Sequence, residues 1–228
     1  MTDLTDAIRF DNVSLTLRAQ AGPVEILKHV SFTIGQGQAI GIVGPSGSGK
    51  TSLLMVASGL EAASAGAVTV TGLDLVGKSE AHLAQFRRDT IGIIFQSFHL
   101  IPTMTALENV AVPLEFKGRS DAMAQARAGL ERVGLGHRLL HYPSQLSGGE
   151  QQRVAIARAV TAGAKILLAD EPTGNLDQET GNAIIDLLFG LQAKEGATLL
   201  LVTHDRSLAS RCNRILEVRD GRVSEGHL

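Results

Sequence analysis

The sequence predicts an α/β fold, and three observations carry that expectation. Short, almost wholly apolar runs recur at Ala39–Val43, Ile166–Ala169 and Thr198–Val202, each ending in polar residues able to do chemistry. Continuous apolar runs of that length fit strands buried on both faces of a parallel sheet. Helical patterns alternate with them: Ser52–Ala57 follows the first run, and Thr180–Ala193, with Ile184, Leu187, Leu188 and Leu191 on one side, precedes the third. Finally, the glycine-rich segment Gly44-Pro-Ser-Gly-Ser-Gly-Lys-Thr51 joins the first run directly to its helix.

Composition fits a folded chain of that class. The 228 residues suffice for one good-sized domain, 1–228, and leave no room for two with a linker. Hydrophobic residues make up 44% and charged ones 19%, which excludes a disordered chain. With seven Phe, one Tyr and no Trp, the core must be built from Val, Ile, Leu and Ala. The 25 glycines have no collagen-like period, so they mark tight turns or backbone brought close to a ligand. A net charge of −2 supplies no basic field, so no nucleic-acid partner is expected. The lone Cys212 reads as a small apolar residue in a reducing compartment. The start, Met1-Thr-Asp-Leu-Thr-Asp6, lacks a signal-peptide pattern, and no apolar stretch approaches the ~18 residues of a membrane span. A cytoplasmic chain that does not itself cross a membrane is the expectation.

The remaining elements follow in order. Ile8–Leu17 and Val24–Ile34 are β-rich runs joined by Ala21-Gly-Pro23, which predicts antiparallel strands. Ala67–Thr71 alternates as a strand, and Ser79–Arg88 reads as a helix behind a Ser cap, with Leu83 and Phe86 three apart. Ile91–Phe95 is a strand. Gln96–Val112, which holds Pro102, reads as irregular. Asp121–Val133 carries Met123, Ala126, Leu130 and Val133 at the spacing of an amphipathic helix. Glu150–Ala162 is another helix, Gly196 a C-cap, and Arg214–Arg219 with Arg222–Ser224 a hairpin about Asp220-Gly221.

Two motifs point to phosphate chemistry. Gly44–Thr51 fits G-x-x-x-x-G-K-[ST] between a buried strand and a helix, where backbone N–H groups face phosphates at the positive end of the helix. Lys50 would reach the β- and γ-phosphates, and the Thr51 hydroxyl would bind Mg²⁺. Asp170 and Glu171 end the strand Ile166–Ala169; Asp170 suits the metal shell, and Glu171 can orient or deprotonate a water in line with the γ-phosphate. Together they specify a P-loop NTPase.

The run Leu146-Ser147-Gly148-Gly149-Glu150-Gln-Gln-Arg153 opens a helix between the two motifs. Here the chain resembles the ATP-binding-cassette (ABC) ATPases, whose signature is L-S-G-G-Q. The order of Gln96, Asn175-Leu176-Asp177 and His204 along the chain is similar to that family as well. The resemblance implies a RecA-like P-loop core with an antiparallel β subdomain and an inserted α-helical subdomain at about residues 97–160. It implies ATP and Mg²⁺ as ligands, with Gly44, Pro45, Ser46, Gly47, Ser48, Gly49, Lys50, Thr51 and Ser52 on the nucleotide. It also implies a homodimer in which Ser147, Gly148 and Gly149 of one copy close over the γ-phosphate held by the other, with Asp177 at that interface. Lys50, Gln96, Glu171 and His204 are the implied catalytic residues; Thr51, Gln96 and Asp170 are the implied metal ligands.

Two departures stand out. Glu150 replaces the commoner Gln, and an acid in a first helical turn is favourable. Asn12-Val-Ser-Leu-Thr-Leu-Arg18 holds no aromatic where the family stacks adenine; Leu17, the best substitute, offers apolar contact without stacking, about 0.5–1.5 kcal/mol less. Preference for ATP over GTP is therefore less well specified than phosphate binding.

Within the family, Asp170-Glu-Pro-Thr-Gly-Asn-Leu-Asp177 and Leu146–Arg158 resemble the bacterial lipoprotein-release, macrolide-export and cell-division ATPases, and Phe95–Val110 most resembles the YbbA-type members. That implies an integral-membrane permease docked on Gln96–Val110 and a peripheral place on the cytoplasmic face of the bacterial inner membrane. Phe98, Leu100, Ile101 and Met104 either receive that permease or pack inward under a loop. The implied role is driving a permease in export, lipoprotein extraction or mechanotransmission. The alternative is regulation of a cell-envelope enzyme through a membrane partner.

Overall fold

The computed structural model describes residues 6–19 and 22–226. Met1–Thr5 of the N-terminal segment, and Ala21 of the Ala21-Gly-Pro23 loop, lie outside them. The chain forms two compact units, residues 1–87 with 198–228, and residues 88–197.

In the first unit, β1 (Asp6–Ala19) and β2 (Gly22–Gly35) pair antiparallel, with Ile8 opposite Ile34, Phe10 opposite Phe32 and Leu15 opposite Leu27. Ile8, Phe10, Leu15, Leu27 and Ile34 are buried and Phe32 is half-buried, with register shifts between Phe10 and Leu15 interrupting the period-2 alternation. The Phe10 and Phe32 rings stack at 4.6 Å. β4 (Ala65–Val70) extends this sheet from β1, and β5 (Leu73–Asp74) closes it. A second set of strands builds around β3 (Ala39–Val43), which lies parallel to both β8 (Thr198–Val202) and β9 (Arg214–Arg219). Every residue of β3 and β8 is buried, which is why these runs carry no polar alternation. α1 (Lys50–Ala57) and α7 (Arg206–Ala209) follow β3 and β8. β10 (Arg222–Glu225) returns antiparallel to β9 through Asp220 and Gly221, both at positive φ, 47° and 77°. This is the hairpin that the Asp-Gly pair predicts. α2 (Glu80–Thr90) carries the division between the units, and His82 N donates to Ser79 Oγ at 3.4 Å at its start.

In the second unit, β6 (Ile91–Phe95) and β7 (Ile166–Asp170) run parallel with Phe95 opposite Asp170. Four longer helices follow: α3 (Ala106–Phe116), α4 (Ala122–Arg132), α5 (Gly148–Thr161) and α6 (Gln178–Glu195). A one-turn 3-10 helix, Pro143–Gln145, precedes α5. Val110, Ala111, Leu114, Ala126, Leu130, Val154 and Ile156 are buried on the inner faces of α3, α4 and α5. Gly196, at φ 65°, caps α6 as expected.

The sequence reading of Gln96–Val112 as irregular needs correction, because α3 begins inside it at Ala106. Thr105 and Glu108 form a capping box: Thr105 Oγ1 accepts from Glu108 N at 3.3 Å, and Glu108 Oε2 accepts from Thr105 N at 2.7 Å. That reciprocal cap nucleates a helix that Pro113, lying inside it, would otherwise discourage. On α4, Met123 is 46% exposed, whereas Ala126, Leu130 and Val133 are buried as the periodicity predicts.

Candidate functional site

The phosphate loop of the first unit is shaped by backbone. Gly44 leaves β3 at φ 148°, and a Cβ there would stand 2.1 Å from the Val218 carbonyl oxygen. Only glycine fits so close an approach. The loop tightens through Ser48 N donating to Pro45 O, and Ser48 O in turn accepts from Gly221 N of the terminal hairpin turn. α1 then starts at Lys50 behind Gly49, which sits in the left-handed region. Lys50 is buried, and its Nζ donates to Gly44 O at 2.9 Å and Pro45 O at 2.8 Å. The Ser48 hydroxyl is buried without a hydrogen-bond partner among the described residues. A buried ammonium on loop carbonyls and an orphan donor beside it are arranged to be satisfied by an anion. His204 follows β8 and lines one cleft with Val43, Gly44, Pro45, Arg206, Glu217 and Arg219. Leu17 on β1 is 38% exposed, available for apolar contact.

The second unit gathers the acids and the signature residues. Because Phe95 pairs with Asp170, Gln96 and Glu171 each follow the C-terminal end of neighbouring parallel strands. Glu171 has φ 45°, a left-handed conformation unusual for a non-glycine residue and of the kind found where function over-determines the backbone. Gln96 is held by Asn175: its Nε2 donates to Asn175 Oδ1 at 3.2 Å, and its carbonyl accepts from Asn175 Nδ2 at 3.0 Å. Asp177 caps α6, accepting from Thr180 N at 3.0 Å, and that backbone hydrogen bond holds its carboxyl below the usual range.

Ser147 caps α5. Its Oγ accepts from Glu150 N at 3.2 Å, and Glu150 Oε2 accepts from Ser147 N at 2.8 Å, a second capping box. The amides of Gly148 and Gly149 occupy the first two helical positions. A Cβ on Gly149 would stand 2.6 Å from Thr180 Cγ2, so this glycine lets α5 approach α6.

Two residues that sequence reasoning left without a role hold the stretch between β6 and α3. Asn109 is fully buried; its Nδ2 donates to the carbonyls of Ile101, Met104 and Thr105 at 3.0–3.1 Å, and its Oδ1 accepts from Ile101 N at 2.7 Å. Arg158, on α5, donates to Phe98 O at 2.9 Å and His99 O at 2.6 Å. Phe98 and His99 both have positive φ, 59° and 47°, and Arg158 lies beneath them with burial lowering its pKa. Of the four apolar residues singled out there, Ile101 is exposed, while Phe98, Leu100 and Met104 are half-buried.

Residues 27–174 match the family model described as ABC transporter. The chain belongs to the ABC transporter family, as an ATP-hydrolysing cassette. It is 49% identical to the ABC transporter ATP-binding protein YbbA of Escherichia coli K12, over 89% of this chain and 90% of that protein. It is also 49% identical to the lipoprotein-releasing system ATP-binding protein LolD of Geobacter metallireducens, over 88% of this chain and 90% of that one. Among solved structures, a dimeric, post-hydrolysis state of the ATP-binding cassette MJ0796 bound to ADP and Pi superposes with a TM-score of 0.90 at 39% identity, covering 97% of this chain and 98% of that chain. The P-loop α/β class and the family resemblance read from the sequence are thereby borne out.

Proposed function

We propose that this ABC ATPase works as one nucleotide-binding domain, as a homodimer closed around two ATP, and drives an integral-membrane permease. The observation that carries the reading is Lys50, a buried ammonium enclosed by the carbonyls of Gly44 and Pro45. Phosphate oxygens would exchange for those carbonyls, and the Ser48 hydroxyl would find its acceptor there. Gly44–Ser52 cradle the phosphates, His204 contacts the γ-phosphate, and Glu171 orients the attacking water and takes its proton. Thr51, Gln96 and Asp170 would hold Mg²⁺: a hydroxyl, an amide and a carboxylate are the hard oxygen donors that ion takes. When bound, Mg²⁺ neutralises charge developing on the transferred phosphoryl group.

In trans, Ser147, Gly148 and Gly149 meet the partner's γ-phosphate. Because the Ser147 oxygen accepts from Glu150 N, its hydroxyl proton is left to donate. Asp177, at the start of α6, would stand at the dimer contact. The dimeric neighbour at TM-score 0.90 supports this assembly. Transport is favoured over a purely regulatory role by the relatives named for transporters and lipoprotein release. The permease would dock on Gln96–Val110, where Ile101 is 37% exposed, on the cytoplasmic face of a bacterial inner membrane. No described helix is long and apolar enough to cross a membrane.

Glu171→Gln should remove hydrolysis and leave binding, trapping an ATP-bound dimer on size-exclusion chromatography. A Glu171→Gln chain with unaltered turnover would overturn the assignment.

A further inference from the structure

Glu150 poses an electrostatic problem. It lies at the third position of α5, in the same first turn as the amides that the reading above gives to a γ-phosphate. A carboxylate there favours the helix but opposes an incoming anion. Two donors meet it: Ser147 N on Oε2, and Arg138 Nε on Oε1 at 2.9 Å. The Ser147 N–H, ahead of Arg138, holds the Glu150 carboxyl below the usual range.

Arg138 is itself held in place. Its Nη1 lies 3.1 Å from His141 Nε2, which makes that nitrogen the acceptor and places the ring proton on Nδ1. The turn that carries it is closed by Arg138 N donating to Leu135 O and His141 N donating to Arg138 O. The same turn is pinned to the start of α3, where Ala106 N donates to His141 O at 2.8 Å and Leu107 N to Leu139 O at 3.0 Å.

We propose that Arg138 is a positioning residue for the signature segment: it cancels the Glu150 charge, so that the N-terminus of α5 presents an uncompensated positive end to the triphosphate of the second copy. The inference rests on the dimer reading above. In that reading the capping box fixes the shape of the segment, and Arg138 supplies the electrostatic complement that the Gln-bearing signature does not need. The turn holding Arg138 also ties this charge to the segment that leads from the docking stretch into α3.

The test is the ATP concentration at which Glu171→Gln protein becomes half dimeric. Arg138→Gln should raise it about tenfold, as expected for an uncancelled charge in the helical turn that meets the ligand. Arg138→Lys, which keeps the charge, should raise it less than about threefold. In a Glu150→Gln background, Arg138→Gln should shift it less than about twofold, because no charge remains to cancel. A merely structural arginine would give the same loss in both backgrounds, and Lys would fare no better than Gln; either result overturns the proposal, as does an unshifted Arg138→Gln. Failure of Glu171→Gln protein with Arg138 intact to dimerise at any ATP concentration would instead overturn the dimer reading beneath it.

Discussion

The phosphate loop and the signature–docking region both hold a polar segment ready for a ligand, and they do so by different means. In the loop the backbone is the device: Gly44 leaves β3 against the Val218 carbonyl, Ser48 N closes on Pro45 O, and Lys50 lies on two main-chain oxygens. In residues 96–109 and 147–158 the backbone is held from outside by side chains, namely Asn109 on Ile101–Thr105, Arg158 on Phe98 and His99, and Glu150 on Ser147. A backbone device tolerates almost no change of residue at the glycine that shapes it. A side-chain device can be loosened one hydrogen bond at a time, which suits the proposed role of this region in answering to a partner copy and a permease.

The sharpest way to break the comparison is at Gly44. Gly44→Ala places a methyl 2.1 Å from the Val218 oxygen, so β3, the loop or the terminal hairpin must move. Nucleotide affinity, measured with a fluorescent ATP analogue, should fall by about 10²-fold or more, since a clash of that size costs ~3 kcal/mol or more. Near-normal affinity would mean that the loop shape is not set by this approach.

The equivalent blow to the second region is smaller and gradable. Asn109→Ala leaves Ile101 N and the carbonyls of Ile101 and Met104 without their buried partner, which should cost about 2–4 kcal/mol of unfolding free energy in urea titrations. Asn109→Asp keeps the acceptor for Ile101 N but turns a charged oxygen toward three carbonyls. The folded state then favours the protonated form, raising the Asp pKa above its unfolded value. The stability lost relative to the wild-type chain at the same pH should therefore be smallest below about pH 4 and grow as the pH rises through the shifted value. A deficit relative to wild type that is the same at pH 4 and pH 7 would contradict this geometry.

How much was legible in the sequence follows the same division. Gly44–Thr51 could be read because a backbone device leaves its mark as glycines at fixed spacing, and the buried strands β3, β7 and β8 left theirs as apolar runs. The signature segment was legible only through resemblance, since Leu-Ser-Gly-Gly carries no chemistry by itself. The side-chain devices were not legible. Asn109 and Arg158 act on carbonyls 4–8 and 59–60 residues away in the chain, and no local pattern marks a residue that hydrogen-bonds backbone at that distance. α3 was missed although Thr105-Ala-Leu-Glu108 spells a capping box, because Pro102 outweighed it.

Cys212 offers the finest test of whether the two regions are held separately. It follows α7 in the first unit; its N–H donates to Ala209 O at 3.0 Å, and the next residue, Asn213, accepts from Ala39 N at 2.7 Å and donates to Ala39 O at 2.8 Å. Burial pushes the Cys212 thiol up to about 11. Only the thiolate reacts, so at pH 8 alkylation of the native protein should run ~10²-fold slower than in the denatured chain, whose thiol titrates near 8.5. The raised value also makes the half-buried thiol a source of stability that is complete below about pH 8.5 and is lost as the pH rises through about 11. Because every Asn109 side-chain hydrogen bond described above falls within residues 101–105, Asn109→Ala should leave the native alkylation rate of Cys212 unchanged in the absence of denaturant. A rate that rises with the loss of Asn109 would mean that the side-chain device of the second unit also supports the first, and the contrast between the two would fall.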